Sequence, residues 1–290
     1  MVAPTAVKTE NFEASSAPQS YWSDIDGQKM HYLKAGSGPP LLLVHGLLGG
    51  SFCWRLNIPV LARTRTVYAV DLVGLGVSDA PRTCDCSMRT QALRLNRFIE
   101  DMQLSNVDVV GSSWGGAVAL CLASLNDRLR SLVLAAPVNP WSEFGSERIA
   151  FFSGPVTGFM LPVLLPYSRR FQRPYLARLY GNPAHIPPGT LEGYSALLTR
   201  RGRGHNLVSI LRGWPQDVEH LRAAITKVRT PSLLIWGAKD LAVDPRSANA
   251  LKDALPGSEL AALLDVGHLP FEEGPGDFNR LVLNFLGRTK

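Results

Sequence analysis

Gly111-Ser112-Ser113-Trp114-Gly115-Gly116 stands between a short β-branched run, residues 107–110, and a run of small helix-forming residues, 117–123. A strand that turns at once into a helix around one strained residue leaves no room for β-carbons on either side. Gly111 and Gly115 provide that room. Ser113 is therefore expected at the apex of a G-x-S-x-G elbow, its hydroxyl above the sheet and the positive end of the following helix beneath it. A bare pattern of this kind also fits a glycine-rich turn with a solvated serine, so its partners decide its meaning. A serine hydroxyl is a poor nucleophile at neutral pH and needs a base within hydrogen-bond reach, itself oriented by a carboxylate. Such a set performs acyl transfer through a tetrahedral oxyanion.

Six histidines are available. His31 falls in an N-terminal hairpin, and His185, His205 and His220 fall in a basic internal block, where solvated or structural roles are the default. His45 precedes a glycine in a loop and is read as shaping it. His268, in Asp265-Val266-Gly267-His268-Leu269-Pro270, follows the last expected strand and reaches the same sheet edge as Ser113. For the carboxylate, Asp240 follows the penultimate strand. Asp244, before Pro245, reads as a helix N-cap, and Asp265 lies only three residues from His268, which suits a local turn. The order is thus Ser113, Asp240, His268.

These residues require a sheet to position them. Residues 21–24 and 29–34 read as a hairpin around Asp26-Gly27. The apolar run 41–44 suits a strand buried on both faces, and it leads into the loop His45-Gly46-Leu47-Leu48-Gly49-Gly50. Residues 54–62 read as a helix, 66–70 as a strand and 88–102 as a helix. After the elbow come strands at 131–136, 231–236 and 259–264 and a closing helix at 277–286. Strands alternating with helices imply an α/β fold with a mostly parallel sheet wrapped on both faces.

The 290 residues fit one domain carrying an insertion. Residues 1–20 read as a loose tail without the apolar core of a signal peptide. Residues 138–230 hold 12 Lys+Arg against 5 Asp+Glu, whereas the rest of the chain holds 18 against 19. The whole basic excess therefore lies in one block, which argues against a nucleic-acid-binding fold. No transmembrane span is expected, because 151–165 is interrupted by Gly154, Pro155, Gly158 and Pro162. Four scattered cysteines, Cys53, Cys84, Cys86 and Cys121, imply neither a disulfide framework nor a metal site, and read as reduced thiols of a cytoplasmic protein.

The order serine, acid, histidine with this elbow resembles the α/β-hydrolase superfamily over almost the whole chain, residues 21–286. His45-Gly46-Leu47 is similar to its oxyanion loop, which implies the backbone N–H groups of Leu47 and Trp114 as the oxyanion hole. Asp71-Leu72-Val73-Gly74-Leu75-Gly76-Val77-Ser78-Asp79 resembles its D-x-x-G-x-G-x-S-D loop, with Val73 where Arg or Pro is common. Gly267-His268-Leu269-Pro270-Phe271-Glu272-Glu273 resembles its G-H-x-P-x-x-E stretch. The resemblance implies an α/β-hydrolase core at 21–137 and 231–290. A helical cap, 138–230, would be inserted after the sixth strand. Phe151, Phe159, Leu161 and Leu164 are too apolar to lie open to water and are expected on the inner face of that cap, lining the pocket above Ser113.

Relatives that open epoxides or displace halide use an aspartate nucleophile, and position 113 is serine. The resemblance therefore implies a cofactor-free, metal-free ester hydrolase acting on small to medium substrates. It leaves open a carbon–carbon bond hydrolase of ring-fission products and a cofactor-free perhydrolase. Relatives of the carbon–carbon type commonly carry Trp after the catalytic histidine, where this chain has Leu269. A receptor or scaffold that kept the fold is the reading from another class, since fold alone does not establish activity.

Overall fold

Asp26 and Gly27 both take positive φ, 55° and 77°, the pairing that a two-residue hairpin turn matched to strand twist requires. They join β1 (Gln19–Ile25) to β2 (Gln28–Ala35) in antiparallel register. The computed structural model describes residues 17–142, 145–167 and 169–289. Residues 1–16 of the expected tail lie outside the described residues.

Beyond the hairpin, β3 (Pro40–Val44), β4 (Thr66–Val70), β5 (Val107–Ser112), β6 (Leu129–Ala135), β7 (Ser232–Gly237) and β8 (Glu259–Leu263) complete one sheet. Its order is β1-β2-β4-β3-β5-β6-β7-β8, and every pairing from β4 to β8 is parallel. Central strands β5 and β7 are buried throughout, as strands covered on both faces must be. Edge strand β8 is only partly covered.

The helices in chain order are α1 (Ile58–Leu61), α2 (Met88–Asp101), α3 (Trp114–Leu125), α4 (Ser146–Ser153), α5 (Pro155–Leu164), α6 (Arg169–Leu179), α7 (Thr190–Leu198), α8 (Arg203–Ile225), α9 (Ser247–Ala254), α10 (Pro270–Glu273) and α11 (Pro275–Arg288). One core layer sets Phe98 of α2, Val118 of α3 and Leu221 of α8 against the sheet. The opposite layer sets Leu61 of α1, Phe271 of α10 and Phe278 of α11 against the other face. Helices α4 to α8 all lie between β6 and β7.

The expected tail 1–20 overlaps β1, because Gln19 and Ser20 already pair with Lys34 and Leu33, and two helix readings also change. The helix expected at 54–62 divides into a 3-10 turn, Ser51–Trp54, and α1, because Pro59 has no N–H to continue an earlier helix and sits in the first turn of a new one. Asp244 does not cap α9 directly. Its carboxylate accepts the Arg246 N–H at 2.9 Å, and its carbonyl accepts the Ser247 N–H at 3.0 Å, so it closes the turn that leads into a helix starting at Ser247.

At the start of α2, Ser87 Oγ accepts the Thr90 N–H, and both oxygens of Asp217 from α8 lie 3.2 Å from the Met88 nitrogen. Asp217 is 2 % exposed. Burial pushes its pKa up to about 6, against the pull of the Met88 N–H. A raised carboxyl pKa means that the folded protein binds this proton more tightly than the unfolded chain. The penalty is full above about pH 6 and is relieved as pH falls toward the unfolded value, 3.8. Asp217→Asn keeps the acceptor for Met88 and removes the charge. It should stabilise the protein by about 1–3 kcal/mol at pH 8 and by little near pH 4, as measured by denaturant titration at both values.

Candidate active site

The elbow is built by close approach. A β-carbon at Gly115 would lie 2.2 Å from the His45 carbonyl oxygen, and one at Gly111 would lie 2.7 Å from the Gly115 oxygen. Only glycine lets the start of α3 sit this close to the end of β3. Ser113 takes φ 51° and ψ −122°, a conformation costly for a side chain and paid for by its surroundings. Its N–H donates to Ala135 at 2.9 Å, and its carbonyl accepts the Gly116 and Val138 N–H groups at 3.0 Å each. Gly46 backs onto it: a β-carbon there would be 3.2 Å from the Ser113 β-carbon.

The three side chains expected to act together do meet. Ser113 Oγ lies 2.9 Å from His268 Nε2, and His268 Nδ1 lies 2.8 Å from Asp240 Oδ2. The other Asp240 oxygen accepts the N–H groups of Ala242 at 2.7 Å and Val243 at 3.0 Å. With Asp240 as acceptor, Nδ1 carries the histidine proton and the Nε2 lone pair faces the serine hydroxyl. That is the tautomer a general base needs. Both Asp240 and His268 are buried.

The rejected carboxylates are engaged elsewhere. Asp265 pairs with Lys239 at 3.0 Å on the surface, and Asp244 pairs with Arg246 at 2.7 Å. His45 is fully buried, its Nε2 accepting the Leu72 N–H at 3.0 Å and its Nδ1 donating to the Gly46 carbonyl at 2.8 Å; burial lowers its pKa. It holds the loop, as read from the sequence.

A second chain of the same residue types exists. Ser20 Oγ lies 2.7 Å from His31 Nε2, and His31 Nδ1 lies 2.6 Å from Asp71 Oδ2. Asp71 also accepts the Ser51 N–H at 2.5 Å. Ser20, however, sits in edge strand β1 with extended neighbours, and no helix starts behind it. Ser113 alone of the two combines the base with a strained apex and a helix N-terminus.

The bonds around His268 go beyond what the G-H-x-P-x-x-E resemblance implies. Its N–H donates to the Leu179 carbonyl at 2.7 Å. Glu273 accepts the N–H groups of Gly267 at 2.6 Å, Gly181 at 2.9 Å and Asn182 at 2.8 Å. Fully buried Glu272 accepts from Arg55 Nη1 at 2.8 Å, Tyr194 at 2.7 Å and Tyr180 at 2.5 Å. Both glutamates thus tie the histidine loop to the segment between α6 and α7. Glu273 closes the G-H-x-P-x-x-E stretch read from the sequence, whereas Glu272 falls at one of its unspecified positions.

The expected pocket residues are not brought together. Phe151 and Phe159 are 62 % and 77 % exposed, and Leu164 also faces water. Leu161 alone turns inward, to a small cluster of Leu165, Leu207 and Leu211 with Leu47 and Leu48. The reason is the seating of α5 on α8. A β-carbon at Gly158 would meet Arg212 and Val208, and one at Gly204 would lie 2.5 Å from the Pro162 α-carbon. That contact commits 158, 161 and 165 to the inside and turns 159 outward. The space beside the loop of Leu47 and Leu48 is instead a small, partly open cavity of about 10 Å³ whose lining includes Leu75, Leu165, Leu197, Leu207 and Arg203.

Residues 41–281 match the model of the alpha/beta hydrolase family, and the chain belongs to that family. It is 30% identical over 284 residues to an uncharacterised protein of Mycobacterium tuberculosis, covering 94% of this chain and 82% of that one. Lipase 1 of Psychrobacter immobilis is 30% identical over 259 residues, covering 85% and 77%. The solved structure of the epoxide hydrolase CorEH without ligand superposes with a TM-score of 0.84 at 26% identity, covering 94% of this chain and all of that one.

Proposed function

We propose that this hydrolase cleaves carboxylic esters of small to medium size through an acyl-enzyme. The observation that carries the reading is the 2.9 Å approach of His268 Nε2 to Ser113 Oγ at a strained elbow. As Oγ adds to the ester carbonyl, its proton passes to Nε2, and Asp240 stabilises the imidazolium that forms. The backbone N–H groups of Leu47 and Trp114 receive the developing oxyanion. Collapse expels the alcohol, which takes the proton from His268, and water then repeats the sequence to release the acid. Relatives include both a lipase and an epoxide hydrolase, and serine at 113 favours acyl chemistry over an alkyl ester on aspartate. Leu269 beside His268 speaks against the carbon–carbon type.

A panel of p-nitrophenyl esters and one dienoate, with and without an organophosphate, tests the reading. Esters should turn over, and inactivation should leave a single adduct on Ser113. Turnover of the dienoate alone would replace the proposal. An acyl chain that packs against Leu47 and Leu48 should gain up to ~0.8 kcal/mol, about fourfold in kcat/KM, for each methylene it buries there. Butyrate should therefore exceed acetate. A profile that peaks at acetate would show an acyl site closed to these leucines.

A further inference from the structure

Val156, Phe159, Met160, Val163, Leu164 and Tyr167 recur at the three- and four-residue spacing of one helix face, and each is between 46 % and 83 % exposed. Phe151 and Phe152 of α4 extend the same apolar surface. The face cannot be turned inward, because the opposite side of α5 is already seated on α8 through Gly158 and Leu161. An apolar surface of this extent left open to water marks an interaction site.

Its charge setting selects the occupant. Residues 149–168 carry no charge, while Arg148 precedes them and Arg169, Arg170, Arg173 and Arg178 follow; from 148 to 191 there are five arginines and no acid. The side chains of Arg148, Arg169 and Arg170 lie outside the described residues. Arg212 reaches the same edge, its Nε donating to the Ser153 carbonyl at 3.3 Å. A second copy of the chain would meet this face with itself and bring together two segments of the same net positive charge. An anionic bilayer instead offers acyl chains to the aromatic and aliphatic side chains, and phosphates to the cations. Gly154 and Pro155 divide the segment into two short helices, so it lies along a surface rather than crossing one.

We propose that the outer face of α4 and α5 is a peripheral docking surface for anionic phospholipid bilayers. Sedimentation of the full-length protein with vesicles tests it, using phosphatidylcholine with phosphatidylglycerol and phosphatidylcholine alone. The protein should pellet with the anionic vesicles, less so as salt rises. Val156→Asp combined with Val163→Asp should weaken that binding by about tenfold or more, since both positions exchange apolar contact for like-charge repulsion. Both side chains are exposed, so thermal melting and hydrolysis of a water-soluble ester should be unchanged. Equal pelleting of parent and variant, equal binding to both vesicle types, or no binding overturns the proposal. So does light scattering that finds a dimer which the same variant dissociates, because a second copy would then cover the face. Vesicle binding is read without turnover, so its failure is separate from failure of the esterase reading.

Discussion

Ser113→Ala should lower kcat on a p-nitrophenyl ester by about a millionfold, the scale seen when the nucleophile of a serine hydrolase is removed. On the proposed mechanism the loss is large because the three side chains act as one unit. Without Oγ, His268 has no hydroxyl to deprotonate, and the strained apex presents only a methyl group to the carbonyl. The substitution leaves the elbow glycines and the Ser113 N–H bond to Ala135 in place, so the melting temperature should hardly move. Ser112→Ala, one residue back within buried β5, should keep most activity. Ser20→Ala is the sharper control, because Ser20 also faces a histidine held by an aspartate. It should be neutral and should not change organophosphate labelling. Label on Ser20, or appreciable turnover by Ser113→Ala, would remove Ser113 from its assigned role.

Asp240→Asn should cost about four orders of magnitude in kcat, whereas Asp244→Asn should stay within about twofold. The asparagine oxygen can continue to accept the Ala242 and Val243 N–H groups, which leaves its NH2 facing His268 Nδ1. Nδ1 must then accept, the ring proton moves to Nε2, and the base loses the lone pair that Ser113 needs. Asp244 touches Arg246 and the start of α9 but not the histidine, so its loss is a small matter of stability. Steady-state kinetics on both variants, with circular dichroism to confirm folding, decide the case. Reversed losses would place the orienting carboxylate at Asp244.

The parts of this molecule legible in its sequence are those set by local chemistry. Asp26-Gly27 dictates a hairpin, the apolar run 41–44 dictates a buried strand, and paired glycines around Ser113 dictate an elbow. Ser113, Asp240 and His268 could be chosen because each follows a parallel strand and so comes to the same sheet edge. What could not be read depends on which face of a helix finds a partner. The composition of 151–165 says that the segment is apolar, but only the fit of Gly158 and Pro162 against α8 decides that Phe159 points outward. In the same way, Glu272 and Glu273 are charged residues that composition would leave on the surface. They are buried because backbone N–H groups and tyrosine hydroxyls from a remote segment surround them.

The tie between His268 and the segment after α6 makes the amide hydrogen of His268 a clock. Held by the Leu179 carbonyl at 2.7 Å, it can exchange with deuterated solvent only when that segment lifts away. The same event strips Gly181 and Asn182 from Glu273, which also holds Gly267 beside His268. An opening wide enough to break these bonds therefore loosens the loop that carries His268. Exchange at His268 should therefore keep pace with exchange at Gly181 and Asn182, three amides that report one opening.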